Sequence, residues 1–330
     1  MSGKCTLLHF WAHTILIQQM ATTTVSIAPD AEILRSVVSL VSNVTQDKGF
    51  LAACQDLDRA GDADAVLMKT LRQSAKIIAV EASALRSGLP VEVGAALARG
   101  GVECCFSIMC GRLVEYLARA EVEGAAAVRE CIAMLTEGDA RSALRLKVAV
   151  NLYNSLPASS LRCEVLRSVV SFAVSSGQFA LVRGYLVGID AVIATWGLPI
   201  EETRTLYSLV VKVLAAAPGN AAQAQRFNLL LIDSYDGAAA FAALDDAAPS
   251  SVALRESIAA AITAAIRSPI EALRASVDLL AHPAVAYLKA QSAAGSAEAV
   301  LVGLLETVMV DGEGSDLAKF DAFLAAGSNR

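Results

Sequence analysis

The sequence predicts an all-α protein, built as an irregular array of helix pairs. Two compositional observations and one pattern lead there. Hydrophobic residues make up 55% of the 330 positions while aromatics make up only 5%, because much of the apolar excess is alanine. Alanine is the strongest helix former and a poor strand former. Apolar residues recur at three- and four-residue spacing in several windows, and no stretch alternates as a half-buried strand would.

The windows follow each other along the chain. In 32–44, Ile33, Leu34, Val37, Val38, Leu40 and Val41 form one apolar stripe. Residues 61–100 are interrupted by glycines and have no clear period. In 102–117, Val102, Phe106, Met109, Cys110, Leu113 and Leu117 line up. In 142–156, Leu144, Val148, Leu152 and Tyr153 do so, with Arg145, Lys147 and Asn151 off the stripe.

Punctuation is sharper further on. Pro157 ends one helix and Ser159-Ser160 caps the next, which Gly177 ends. One helix is expected over about 178–195. Trp196-Gly197-Leu198-Pro199 is a tight connection, with Pro199 in the first helical turn and Glu201 and Glu202 at the positive end of the dipole. Pro218-Gly219-Asn220 closes that helix, Ser268-Pro269-Ile270-Glu271 reads as a capping box, and His282-Pro283 marks another start. Helix–turn–helix units thus succeed one another at roughly 35–45 residues, the scale of TPR-like and HEAT-like arrays. Such arrays bury a continuous core between neighbours and present extended faces to partners. Phe106, Tyr153, Phe172, Tyr185 and Tyr207 fall at core spacing and read as packing, not as a stacking platform for bases. Residues 1–30 read as a poorly structured extension, with Met20-Ala21-Thr22 resembling an ordinary cytosolic start.

Charge and chemistry narrow the function. The net charge is −6, and all of it comes from residues 199–330, which hold 9 basic and 15 acidic side chains. A chain that met phosphate backbones through its whole surface would be basic, which argues against autonomous nucleic-acid binding. The apolar run from Thr6 to Ile17 is too short for a bilayer span, which needs about 20 residues, so no membrane role is expected. The seven cysteines, at 5, 54, 104, 105, 110, 131 and 163, are odd in number and irregularly spaced. They read as reduced, buried small apolar residues of a cytoplasmic protein.

Cys5, His9 and His13 would share a helix face, yet three candidate ligands among apolar neighbours make a poor metal site. Asp62 and Asp64, beside Gly61, lack the spacing of a calcium loop. Asp245-Asp246 and Glu201-Glu202 are explained by helix ends. His282 has no nucleophile elbow beside it, and Gly-x-Gly-x-x-Gly and Walker A loops are absent. No residue is assigned a catalytic, cofactor-binding or metal-binding role, and no cofactor is expected. An all-α enzyme would need converging carboxylates or histidines that this sequence does not offer.

Ala143-Leu144-Arg145-Leu146-Lys147 followed by Asn151-Leu152-Tyr153-Asn154 resembles the M-subunit family of eukaryotic translation initiation factor 3, part of the PCI class. The resemblance extends in order over roughly 100–325. It takes in Glu103-Cys104-Cys105-Phe106-Ser107-Ile108, Arg162 with Val165, Ile193-Ala194-Thr195-Trp196, Glu201 to Leu206, and Pro283 to Leu288. Cys163, Leu166 and Gly197 depart from the family's usual residues. Leu317 to Phe323 looks like the last part of the helical array, with nothing after it for the family's winged helix.

The resemblance implies N-terminal helical repeats over 31–140 and the helical part of a PCI domain over 141–327. It implies a non-catalytic scaffold that joins the other subunits of initiation factor 3 and reaches the small ribosomal subunit indirectly. There it would support recruitment of mRNA and initiator tRNA. Arg145, Lys147 and Asn151 are the polar positions expected to face solvent or a neighbouring helix. The alternative is a PCI subunit of the cullin-deneddylating signalosome, like its seventh subunit, or of the proteasome lid.

Overall fold

A computed structural model of the chain describes residues 30–45, 47–78, 102–235, 237–245, 248–267, 278–293 and 295–310. Those residues are all-helical, with turns between, and contain no strand. They fall into two compact units, residues 1–156 and 157–330.

The first unit holds α1 (Asp30–Thr45), α2 (Lys48–Arg59), α3 (Ala63–Ile78), α4 (Val102–Arg119), α5 (Glu121–Thr136) and α6 (Ser142–Ser155). Each packs on its sequence neighbour, and α1 on α3 and α4 on α6 as well. The expected stripes supply the core: Leu34, Val37, Val38 and Val41 of α1 and Phe106, Met109, Cys110 and Leu113 of α4 are buried. Asp47 organises the first three helices. Its carboxylate accepts the Phe50 N–H at 2.8 Å as the cap of α2 and the Gln73 amide of α3 at 2.9 Å, while its carbonyl accepts the Ser42 hydroxyl of α1. Between α4 and α5 the approach is closer than any side chain allows. A Cβ at Gly124 would overlap the Cα of Leu117, so only glycine fits there.

The second unit holds α7 (Ser160–Ser175), α8 (Phe179–Val182), a 3-10 turn at Arg183–Leu186, α9 (Ile189–Ala194), α10 (Ile200–Ala216), α11 (Ala221–Asp233), α12 (Gly237–Ala242), α13 (Pro249–Arg267), α14 (Pro283–Gln291) and α15 (Ala297–Val310). Ser159 caps α7 as expected, its hydroxyl accepting the Arg162 N–H. The core of this unit joins Leu231, Ile232, Leu254, Ile258, Ile262, Val285, Leu288, Val302 and Leu305, drawn from α11, α13, α14 and α15.

Three expectations are corrected here. The single helix over 178–195 is three short pieces, because Gly188 adopts φ +69° and breaks the chain before α9. That left-handed turn costs glycine little and ends any helix run. As a result Tyr185, expected in the core, is 38% exposed. Pro199 stands at the N-cap of α10 with ψ 144°, one position before the first helical turn. The expected capping box at 268–271 and the stretch Leu317 to Phe323 lie outside the described residues, as do residues 1–29 and 79–101.

Candidate functional site

The segment that carries the resemblance, residues 143–154, forms nearly all of α6. Its polar residues sort by what they touch. Arg145, expected off the apolar stripe, is 4% exposed, while Leu144 is only half-buried. The Arg145 guanidinium donates from Nε to the Ala140 carbonyl at 2.7 Å and from Nη1 to the Met134 carbonyl at 2.8 Å. Met134 sits in the last turn of α5, where carbonyls have no partner within their own helix. Arg145 therefore closes α5 from the first turns of α6. Burial pushes its pKa down; Glu137 opposes this and Arg141 adds to it.

Arg141, the residue before α6, adopts φ 56°, a left-handed conformation that side chains other than glycine rarely take. Its Nη1 is buried without a hydrogen-bond partner, and burial lowers its pKa. Lys147 is exposed and binds Glu103 of α4 at 2.7 Å. Asn151 is half-buried on the same helix. The structure brings Arg145 and Lys147 together as links from α6 to α5 and α4, which is helix pairing.

The other acidic candidates have structural partners. Asp62 caps α3 by accepting the Ala65 N–H at 2.9 Å, and Asp64 binds Arg119 of α4 at 2.7 Å. Glu201 binds Arg204, which lies over the Tyr235 ring, 3.8 Å from guanidinium carbon to centroid. Arg204 also donates to the Ser234 carbonyl at 2.8 Å, so it ties α10 to the end of α11. Asp245 follows α12, and its carbonyl accepts the Ala248 N–H. Asp246, Cys5, His9 and His13 lie outside the described residues.

His282 caps α14, its Nδ1 accepting the Ala284 N–H at 3.1 Å. A ring nitrogen so engaged is not free to serve a nucleophile as base. Cys54, Cys105, Cys110, Cys131 and Cys163 are buried and Cys104 is exposed, all as free thiols. Burial pushes Cys105 and Cys163 up to about 11, the opposite of an activated thiolate. Among the described residues no three His, Cys, Asp or Glu side chains gather as a metal site, and no helix is long and apolar enough to cross a membrane.

Sequence reasoning missed the exposed apolar residues of the second unit. Leu181 is 57% exposed, Val187 67% and Ile200 50%. They surround the breaks between α8 and α10, and the signal that could have found them is the Gly184–Gly188 spacing inside the supposed helix.

Over 73 residues, 22% of its length, the chain is 30% identical to the eukaryotic translation initiation factor 3 subunit M of Dictyostelium discoideum. The matched stretch spans 18% of that relative, less than a fifth of its length. No protein-family model matches the chain, and no solved structure does.

Proposed function

We propose that the chain is a non-catalytic scaffold subunit of the initiation factor 3 complex that supports preinitiation assembly on the small ribosomal subunit. The observation that carries this reading is the 30% identity over 73 residues to an M subunit of that factor. The helical architecture of the described residues supports it, since stacked helix pairs offer long faces for other subunits. So does the use of the charged side chains: Arg145, Lys147, Arg204 and Asp64 are spent on joining helices.

On this reading residues 31–140 are N-terminal helical repeats, 141–327 are the helical part of a PCI domain, and the stack is right-handed. The protein works in the cytoplasm, contacts nucleic acid only through the assembled complex and needs no cofactor. The acidic balance of residues 199–330 suits contact with basic protein surfaces.

Affinity purification of the tagged chain from lysate, followed by mass spectrometry, tests it. Recovery of initiation factor 3 subunits with small-subunit ribosomal proteins is the expected result. Recovery of signalosome or proteasome-lid subunits in their place overturns it and moves the chain to a sister assembly.

A further inference from the structure

We propose that His282 is a pH-sensitive latch for α14: the neutral ring holds the helix start against the aromatic cluster of Tyr235, Phe241 and Tyr287, and the protonated ring releases it. The geometry carries the inference. The His282 side chain is 11% exposed. Its Nδ1 accepts the Ala284 N–H at 3.1 Å, so the proton of the neutral ring sits on Nε2. The ring meets Phe241 edge-on with centroids 6.3 Å apart, and Phe241 in turn packs on Tyr235 at 5.3 Å and Tyr287 at 5.5 Å. Protonation at Nδ1 replaces an acceptor with a donor aimed at another donor. It also places a cation at the positive end of the α14 dipole. The cap and the aromatic seat are lost together.

The surrounding charges set the direction. Asp233, at the end of α11, approaches Nε2 at 4.0 Å and favours the cation. Burial opposes it and is the larger effect, so the pKa lies below its ordinary value. In the preceding turn, the Asp278 carboxylate is engaged by the Leu280 and Ala281 N–H groups. Of the elements packed on α14, α12 carries no charged residue. Glu306 of α15 is bound to Lys289 of α14 itself. α15 also carries Glu298, α13 carries Arg255, Glu256 and Arg267, and Arg204 lies over Tyr235. Of all these, Asp233 is the charge that acts on the ring.

A group whose folded pKa is depressed contributes stability above its unfolded value, near 6.5, and loses it as pH falls toward the folded value. The latch therefore opens on acidification. Amide hydrogen exchange across residues 283–291 of the full chain, from pH 7.5 to 5.0 and corrected for intrinsic rates, tests this. Wild-type protection falls in that window with a slope approaching tenfold per pH unit. His282→Asn caps the helix without titrating, and its protection stays level relative to wild type. Asp233→Asn moves the wild-type midpoint to lower pH. If His282→Asn loses protection at every pH, His282→Ser, a second capping residue, carries the same comparison. The same pH slope in wild type and in the capping variant, or no slope in wild type, overturns the latch. An unmoved midpoint in Asp233→Asn also overturns it, because a protonating His282 must respond to that carboxylate.

Discussion

Arg145 donates from its guanidinium to the carbonyl of Met134 at 2.8 Å, so a buried cation near the start of one helix closes the end of the helix before it. The same side chain holds the Ala140 carbonyl at 2.7 Å. Removing it leaves carbonyls buried and unsatisfied, although it also removes a desolvated charge. Arg145→Met is expected to cost about 2–4 kcal/mol. Arg145→Lys recovers only part of that, because a compact ammonium cannot fork across two carbonyls. Urea unfolding monitored by circular dichroism reads both. A loss under 0.5 kcal/mol in the methionine variant would show that the guanidinium is not the closure of α5.

The contact between α4 and α5 depends on Gly124. An alanine Cβ there overlaps the Leu117 backbone, which cannot give way as a flexible side chain would. Gly124→Ala is expected to destabilise by about 2–3 kcal/mol. Gly111, on the exposed side of α4, has no neighbour within 4 Å of an added Cβ. Gly111→Ala is expected to stabilise by about 0.5–1 kcal/mol through helix propensity. Opposite signs in a thermal melt of the two variants are the outcome; equal signs contradict the close approach.

Arg204 separates the value of a buried stack from that of an exposed ion pair. Its side chain is 15% exposed and lies on Tyr235, whereas its partner Glu201 is 74% exposed. Arg204→Ala is expected to cost about 2–3 kcal/mol through the lost ring contact and the lost bonds to Ser234. Glu201→Gln should cost no more than about 0.5 kcal/mol, because exposed pairs are weak. Comparable losses in both variants would place the energy in the ion pair and refute the stacking account.

The thiols divide by burial. At pH 8 a maleimide is expected to label Cys104 promptly in the native protein. Cys54, Cys105, Cys110, Cys131 and Cys163 become reactive only on unfolding. Peptide-level mass spectrometry reads each site separately. Because the Cys105 and Cys163 thiols are pushed up to about 11, the unfolded chain ionises first as pH rises above about 9. Native stability is then lost between those values. Cys163→Ala flattens that alkaline decline, and a decline unchanged in this variant would contradict burial of the thiol.

Three of the six described helices of the first unit, α1, α4 and α6, were legible in advance, whereas α3 lies within 61–100, where the glycines hide the period. Eight positions of the α1 and α4 stripes land in the core, because a 3.6-residue period leaves one face to bury, while Ile33, Leu40 and Leu117 are half-buried. The α6 stripe holds at Val148, Leu152 and Tyr153, which are buried, and fails at its first position. Leu144 is half-buried and Arg145 fully so, because an arginine can be buried wherever carbonyls are waiting for it, and the waiting carbonyls belong to another helix. The break at Gly188 was misread for a related reason. A glycine inside an apolar pattern is compatible with either a helix or a stop, and the left-handed backbone that decides between them is set by the packing around it.

The sequence by itself determined that the described residues are helical and where several of their helices stop, and it offered the α6 segment as a point of resemblance to an initiation factor subunit. Those are local properties, written in propensity, period and capping residues within a few positions of one another. Only the tertiary structure decided what Arg145, Arg204, Gly124 and His282 do. Each acts on a partner in another helix or turn: a terminal carbonyl, an aromatic ring, a backbone in near contact, or a carboxylate at 4.0 Å. One-dimensional patterns hold no record of which groups folding will bring within hydrogen-bonding or van der Waals reach.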